Sequence, residues 1–570
     1  MARRRSVLIF GVLLPLLLAA LVIIGSLYVL RSKWLENDLR HRAIAAIERA
    51  TGARVDLGSF RYDWRTLTLE LDNLVLHGTE PADAPPLFHT SVIRVQLKIV
   101  SLFKRDIDVT SLLVRQPHLY LLFRPDGTTN IPPVKVRQNK TAPETLIDLK
   151  IAHFTIDQGT LQTDFRQIPL SARGDNLNAI LTFDAARERY DVRLSSRQLH
   201  VESTETLPAA ADLDLQADLD RNRLTVRQFS LQTGKSRVTG NIIVTNFRNP
   251  VADAQLSVYA DAAEVGKISE LPELSEGSLQ ITGAAHYDAS SPFTFHGKMF
   301  GRNIAYRSRI FSLTHISAES DIYADTQLID LKHLTASVLG SRVNGSASLK
   351  QFRRLTVAGQ FHALDVNEVA PYLTKQTLPW RGLADGPFSI DGNLGRRISG
   401  FVLKADAEIR PAEGGIPLSG NVDVTYRQAT HQIELGSSQL ILPRTQLTLS
   451  GVPEQSLTVS LDSTDLNELK PALPFFGFAN TALPLSLNNG GQAHFAGIIA
   501  DPLTNPQIRG EVALTRFEAQ GEAWDQLRAH ATLSAASVQF SGLTLDQGSL
   551  HASGSGRIPL AGSNVNPHAP

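Results

Sequence analysis

VIRVQLKIV, residues 92–100, sets Ile93, Val95, Leu97 and Ile99 at alternate positions, with Arg94, Gln96 and Lys98 between them. Successive side chains of an extended chain point to opposite faces, so this stretch predicts a strand with one apolar and one wetted face. The same period of two runs through Leu67, Leu69 and Leu71, and returns in Leu213, Leu215, Ala217 and Leu219. In Leu224 and Val226 followed by Phe229 and Leu231, the phase slips by one residue, as a bulge or turn would impose. Gly, Asn, Asp and Pro punctuate these runs about every dozen residues, as turns require. Examples are Pro125-Asp126-Gly127 and Arg221-Asn222. No helical stretch long enough for a βαβ crossover separates the runs, which predicts antiparallel pairing and argues against a parallel α/β sheet.

A chain of 570 residues exceeds one ordinary core, and a coarse repeat accounts for the length. Gly240, Gly345, Gly451 and Gly554, in SRVTGNI, SRVNGSA, LTLSGVP and LHASGSG, lie 105, 106 and 103 residues apart. Gly283, Gly392 and Gly497 form a parallel series at 109 and 105. Short helical inserts are predicted between the series at DAAEVGKI, DVNEVAPYL and DLNELKPAL. Sandwiches strung on linkers would also repeat, but no Ser/Gly/Pro-rich linker separates the units. The clearest breaks are the polar stretch Lys135 to Thr145 and Ser203 to Leu207. A continuous sheet, curled with its apolar face inward, is therefore expected, and at about 12 residues per strand some 40 strands would extend at most about 190 Å. Such a sheet makes a trough that accepts acyl chains.

At the N-terminus, Val7 to Leu30 is free of charged side chains behind Arg3, Arg4 and Arg5. As a helix it would reach about 36 Å, more than the hydrocarbon thickness of a bilayer. The run is longer than a signal peptide's apolar region, and Leu27, Tyr28, Val29 and Leu30 offer no small-x-small cleavage site, so an uncleaved anchor is expected. Arg3 to Arg5 against Arg31 and Lys33 favour a cytoplasmic N-terminus with the rest exported. Leu35, Leu39, Ala43, Ala46, Ile47 and Ala50 then recur at helical spacing up to Gly52, predicting a short amphipathic helix that either lies on the membrane or caps the first strands.

Charge balances at 56 against 56, which gives no drive toward nucleic acid, and the absence of cysteine removes disulfide frameworks and Cys-based metal sites. No Walker A loop, G-x-G-x-x-G fingerprint, G-x-S-x-G elbow or H-E-x-x-H pair occurs. His77, His118, His286 and His431 show no ligand spacing, and Asp63, Asp126, Asp391 and Asp501 sit at turn signals where Asp serves the turn itself. Catalytic and metal residues are accordingly expected to be none, with no cofactor. FFGF at Phe475 to Phe478 reads equally as a membrane or partner contact and as an apolar plug.

The whole exported region resembles the AsmA/TamB-like family of inner-membrane-anchored envelope proteins. The resemblance is carried by AIAAIERATGARVDLGSFRYDW after the anchor, LTLELDNLVLHG, VTSLLVRQPHLYLLFRPDGTTNIP with its DG-x-x-N turn, and strand-Gly-strand units ending in LTLDQGSLHASGSGRIPL. It implies a repeating β-groove (β-taco) that conducts phospholipid between the inner and outer membranes or assists outer-membrane protein assembly, not an enzyme. Expected partners are phospholipid acyl chains, the inner membrane and an outer-membrane assembly protein. Larger TamB-type members engage such a partner through a further C-terminal domain, whereas this sequence stops at GSNVNPHAP just after a repeat unit, so that it is either a shorter AsmA-type member or truncated. The expected organisation is a cytoplasmic tip and anchor (1–33), the amphipathic helix (34–52), an N-terminal AsmA-like β unit (53–135) and the repeating β body (136–570). Groove-lining positions are Leu67, Leu69, Leu71, Ile93, Val95, Leu97, Ile99, Leu213, Leu215 and Leu219.

Overall fold

The structure is a computed structural model that describes residues 33–561 and 564–565, apart from 64, 99–108, 125–127, 133–140, 166–169, 204–205, 270, 289–290, 308–311, 352, 370, 372–378, 395–397, 454, 477–484, 501–506 and 535–536. The predicted span Val7 to Leu30 lies outside the described residues, and among those described no helix is long and apolar enough to cross a membrane. Ile99, the Pro125-Asp126-Gly127 turn and Gly477-Phe478 of FFGF also lie outside them.

Lys33–Thr51 is a helix, and Gly52 ends it at φ +71° with its N–H donating to the Glu48 carbonyl at 2.9 Å. It caps the first strands: Leu39, Ala43, Ile44 and Ile47 pack on them, whereas Ala46, expected on the buried face, is exposed. The strands β1 (Arg54–Asp63), β2 (Thr68–His77) and β3 (Phe88–Leu97) form an antiparallel meander. β4 (Val109–Arg115) and β5 (His118–Phe123) both pair with β3, and β6 (His153–Phe165) then runs parallel to both. Pairing is therefore mixed, not antiparallel throughout. Between β5 and β6 the chain makes a crossover through the helix Ala142–Leu149, the kind of connection a parallel pair requires.

That helix lies where the sequence suggested a break. Thr141 accepts from the Glu144 N–H while Glu144 accepts from the Thr141 N–H, a reciprocal capping box, and Lys150 closes the other end in the left-handed region.

Packing divides the chain into two units, Met1–Ala260 with Lys267–Ser269 and Thr282–Phe293, and Asp261–Gly266 with Glu270–Ile281 and Thr294–Pro570. In the first, β6 is followed by β7 (Leu170–Asp184), β8 (Arg189–Ser203), β9 (Thr206–Leu219), β10 (Arg223–Gln232), β11 (Arg237–Thr245) and β12 (Val251–Asp261), each antiparallel to the next. The strands β13 (Leu274–Asp288) and β14 (Ser291–Arg307) contribute residues to both units.

The second unit continues the same scheme. β15 (Ser312–Asp325), β16 (Leu328–Val338), β17 (Ser341–Lys350) and β18 (Arg354–Asp365) lead to β19 (Trp380–Leu394) and β20 (Ile398–Pro411). The two-residue β21 (Ile416–Pro417) folds back parallel on β19. β22 (Ser419–Arg427), β23 (Gln432–Ile441), β24 (Thr445–Val452) and β25 (Ser456–Ser463) follow, then β26 (Leu485–Ala500), β27 (Gln507–Ala519), β28 (Glu522–Ser534), β29 (Ser537–Gln547) and β30 (Leu550–Ala561), all antiparallel to their neighbours.

With the short β31 (Asn564–Val565) the described residues hold 31 strands, fewer and longer than a dozen-residue spacing predicts. The strands run on through bulges. Asn303, His315, His333 and Ala363 have positive φ within strands, at or beside breaks in register. They serve bulges, which bend a strand and increase its twist. The phase slip in β10 is such a bulge: register jumps between Val226 and Phe229 against β11.

The three predicted inserts are helical: Ala262–Ile268, Val366–Val369 and the 3-10 segment Leu466–Phe476. Six full strands separate the first insert from the second (β13 to β18) and the second from the third, counting β19, β20 and β22 to β25. A sequence period of about 105 residues therefore corresponds to six strands and one insert.

Candidate functional site

The alternation of the opening stretch holds in three dimensions. Ile93, Val95 and Leu97 are half-buried while Arg94, Gln96 and Lys98 are exposed. Register places Leu71 against Ile93 and Leu69 against Val95, with Phe60 and Tyr62 beyond them on β1. These apolar residues do not all share one environment. Leu69, Leu71 and Ile93 join Val55, Leu57, Phe60 and Leu74 beneath the first helix. Val95, Leu97 and Leu219 join a second cluster around Val109, Ile147, Leu181 and Tyr190, under the crossover helix. Leu67 belongs to neither; it precedes β2 in a turn, at φ +51°, where its carbonyl accepts from the Leu97 N–H at 3.0 Å. It is buried, 6 % exposed, though not as a strand residue.

Both clusters are filled. Ile147 and Tyr190 are 0 % exposed, and Tyr190 donates to the Leu146 carbonyl at 3.1 Å while accepting from the Ile151 N–H at 2.7 Å. Burial pushes the Tyr190 hydroxyl up to about 12. Asn130, also fully buried, accepts from the Leu122 N–H at 2.9 Å and donates to the Tyr120 carbonyl at 2.9 Å. This gives the Asn of the DG-x-x-N motif a job: it satisfies backbone groups of β5.

Elsewhere the same apolar face is left only half-covered. Leu213 and Leu215 are half-buried beside exposed Asp212, Asp214 and Gln216. Leu215 stands opposite Leu194 on one side and Phe229 on the other. In the second unit the pattern repeats, with Leu334, Ala336, Val343, Ala347 and Leu349 half-buried and Thr335, Arg342 and Asn344 exposed. Among the described residues, the buried clusters of this unit sit near the inserts: Phe361, Ala384, Ile409, Leu418 and Leu442 with Val366 and Trp380, and Ala493, Leu514 and Phe517 with Leu466 and Leu485. Beside the third insert an open apolar hollow of about 210 Å³ is bordered by Leu461, Leu466, Leu469, Phe495 and Val512.

Glycines keep parts of this face flat. Gly240 pairs with Phe229, Gly359 with Phe388, and Gly345 with Gly359. An added Cβ would come within 3.0 Å of the Phe229 ring at Gly240 and of the Phe388 ring at Gly359, so each aromatic ring lies over a bare glycine. Gly497 and Gly510 pair with each other beneath Phe495. Of the repeating glycines, Gly240 and Gly497 thus lie under rings, whereas Gly451 sits at φ +120° and Gly554 stands open, with nothing within 4 Å of an added Cβ.

The opposite face is a mesh of cross-strand charges. Arg94 reaches Glu70 at 2.7 Å, and Arg61 binds both Glu70 and, at 2.9 Å, Asp72. Arg227, the extra residue of the β10 bulge against β9, bridges Asp191 at 2.9 Å and the buried Asp218 at 2.7 Å. The hydrogen bond to Asp191, ahead of the pull of Asp218, holds its guanidinium above the ordinary range. Histidines join this mesh: His77 with Asp56 at 3.0 Å, and His286 with Asp253 and His494 with Asp462, each at 2.7 Å. Sequence spacing could not show these pairs because the partner sits on the neighbouring strand. They are exposed pairs, and among the described residues no group of three or more His, Asp or Glu is arranged to hold a metal ion. No protein-family model matches the chain, and no curated protein matches it.

Proposed function

We propose that the half-covered apolar face is a groove for phospholipid acyl chains, and that the chain is an elongated, curled β-groove of the AsmA/TamB-like kind, moving phospholipid between the inner and outer membranes from an N-terminal anchor. The observation that carries this reading is the persistence of one apolar, half-buried face through strand after strand in each unit, where a globular core would have filled it. Bare glycines under flat rings suit a sliding hydrocarbon chain, which needs contact without specific polar partners. The polar mesh on the other face suits water. The runner-up, a scaffold for outer-membrane protein assembly, would use a sheet edge for recognition, through backbone hydrogen bonds.

A photo-crosslinking residue at position 215, on the half-covered face, is expected to capture lipid, and one at the exposed position 216 is not. Equal labelling at both, or none at 215 in a folded protein, would defeat the groove reading. Digestion of the body by protease in intact spheroplasts tests the export topology, and digestion only after permeabilisation reverses it. A compact small-angle scattering profile would rule out the elongated form.

A further inference from the structure

The third insert makes a contact that its place in the chain does not require. Trp380, at the start of β19, donates its indole N–H to the Glu468 carbonyl at 3.3 Å, across 88 residues of sequence. Between β19 and β25 lie β20, β22, β23 and β24, so five ladder steps separate them, about 24 Å on a flat sheet. Glu468 is only five residues beyond Ser463, the end of β25, and helical from Leu466 it reaches roughly 10 Å from there. The sheet must therefore curl at this rim for the two to meet.

The segment is held unequally at its two sides. On the near side Glu468 accepts from the Arg444 N–H at 3.1 Å, the Thr464 N–H donates to the Arg444 carbonyl at 2.9 Å, and a buried Thr445–Ser463 hydroxyl pair at 2.9 Å ties β24 to β25. On the far side, among the described residues, the hydrogen bond is that of Trp380, which packs against the cluster of Phe361, Ala384 and Leu418. Leu466 and Leu469, meanwhile, border the open hollow, which leaves room for the segment to shift.

We propose that Leu466–Phe476 is a clasp: Glu468 joins the β19 end to the β25 end of this six-strand block and so fixes the width of its apolar trough. The chain has no cysteine, so Ser389→Cys and Thr458→Cys, both at exposed positions, can carry a pair of spin labels on the full-length protein without background. The parent should give one narrow distance distribution. Trp380→Phe, which keeps the ring and removes the donor, should broaden it and lengthen its mean by about one strand spacing, roughly 5 Å. Trp380→Leu, which removes the donor with a smaller apolar side chain, should do the same and serves if the first variant fails to fold. An unchanged distribution in a folded variant overturns the clasp. Lipid capture at position 215 is read separately, so its failure with a clasp that responds counts against the lipid reading alone.

Discussion

The strands under the two N-terminal helices and the strands β15 to β17 carry the same alternation and put it to opposite uses. In the first region Leu57, Leu71, Ile147 and Tyr190 are at most 8 % exposed, and helices with defined ends close over the apolar face. In the second, Leu334 and Leu349 stay half-buried, and neither belongs to a filled cluster. Alternation thus specifies that a sheet has two faces, whereas what lies on the apolar one is decided by separate segments with their own start and stop signals.

The strongest way to break this contrast is to charge both faces. Leu71→Asp places a carboxylate in the cluster beneath the first helix, at a position only 8 % exposed, and should cost about 3–5 kcal/mol, the range for a buried unpaired charge. Leu334→Asp, on the half-covered face, should cost under about 1 kcal/mol because water can reach the new group. Denaturant unfolding followed in the two variants separates them, and equal losses would mean that the second region is as filled as the first.

Next in size is Tyr190→Phe, which strands the Ile151 N–H and the Leu146 carbonyl and should cost about 1–3 kcal/mol. The same hydroxyl predicts a difference in alkali. Its value is raised to about 12 in the folded protein from an ordinary 10, so its contribution to stability is complete below pH 10 and is lost as pH rises from 10 toward 12. Hydrogen exchange around Ile151 should therefore accelerate over that window in the parent protein. In Tyr190→Phe the added pH dependence should vanish.

The smallest effect sharpens the comparison at a cap. Thr141→Ala removes half of the capping box on the crossover helix and should cost about 1 kcal/mol. Protection from exchange should drop across 142–151 and leave β15 to β17 untouched. A change in both regions would show that the helix supports more than the cluster beneath it.

Much of this architecture was legible from local signals. Gly52 announced the end of the first helix, Val226 and Phe229 announced a bulge, and DAAEVGKI, DVNEVAPYL and DLNELKPAL announced inserts, because each depends on residues a few positions apart. The crossover helix was obscured by the polar run beginning at Lys135, although Thr141-Ala-Pro-Glu144 carries the capping-box pattern that could have revealed it. The parallel pairing of β6 escaped because it depends on that helix. Leu67 was misplaced because spacing alone cannot distinguish a strand residue from a left-handed turn residue. The division of the apolar face into filled and half-covered parts depends on contacts between distant segments, such as Leu97 with Ile147, which no periodicity encodes.

From β6 to β12, and again from β14 to β20, each strand pairs with the one that follows it in the chain. Such a sheet can be laid down one hairpin at a time in the order of synthesis, with little loop-closure entropy to overcome at each step. The exception is the N-terminal end, where β4 and β5 must hold a place until the crossover has delivered β6. Pulse-labelled refolding should accordingly show β8 to β11 protected before β4, so that the part of the body made first is the last to be finished.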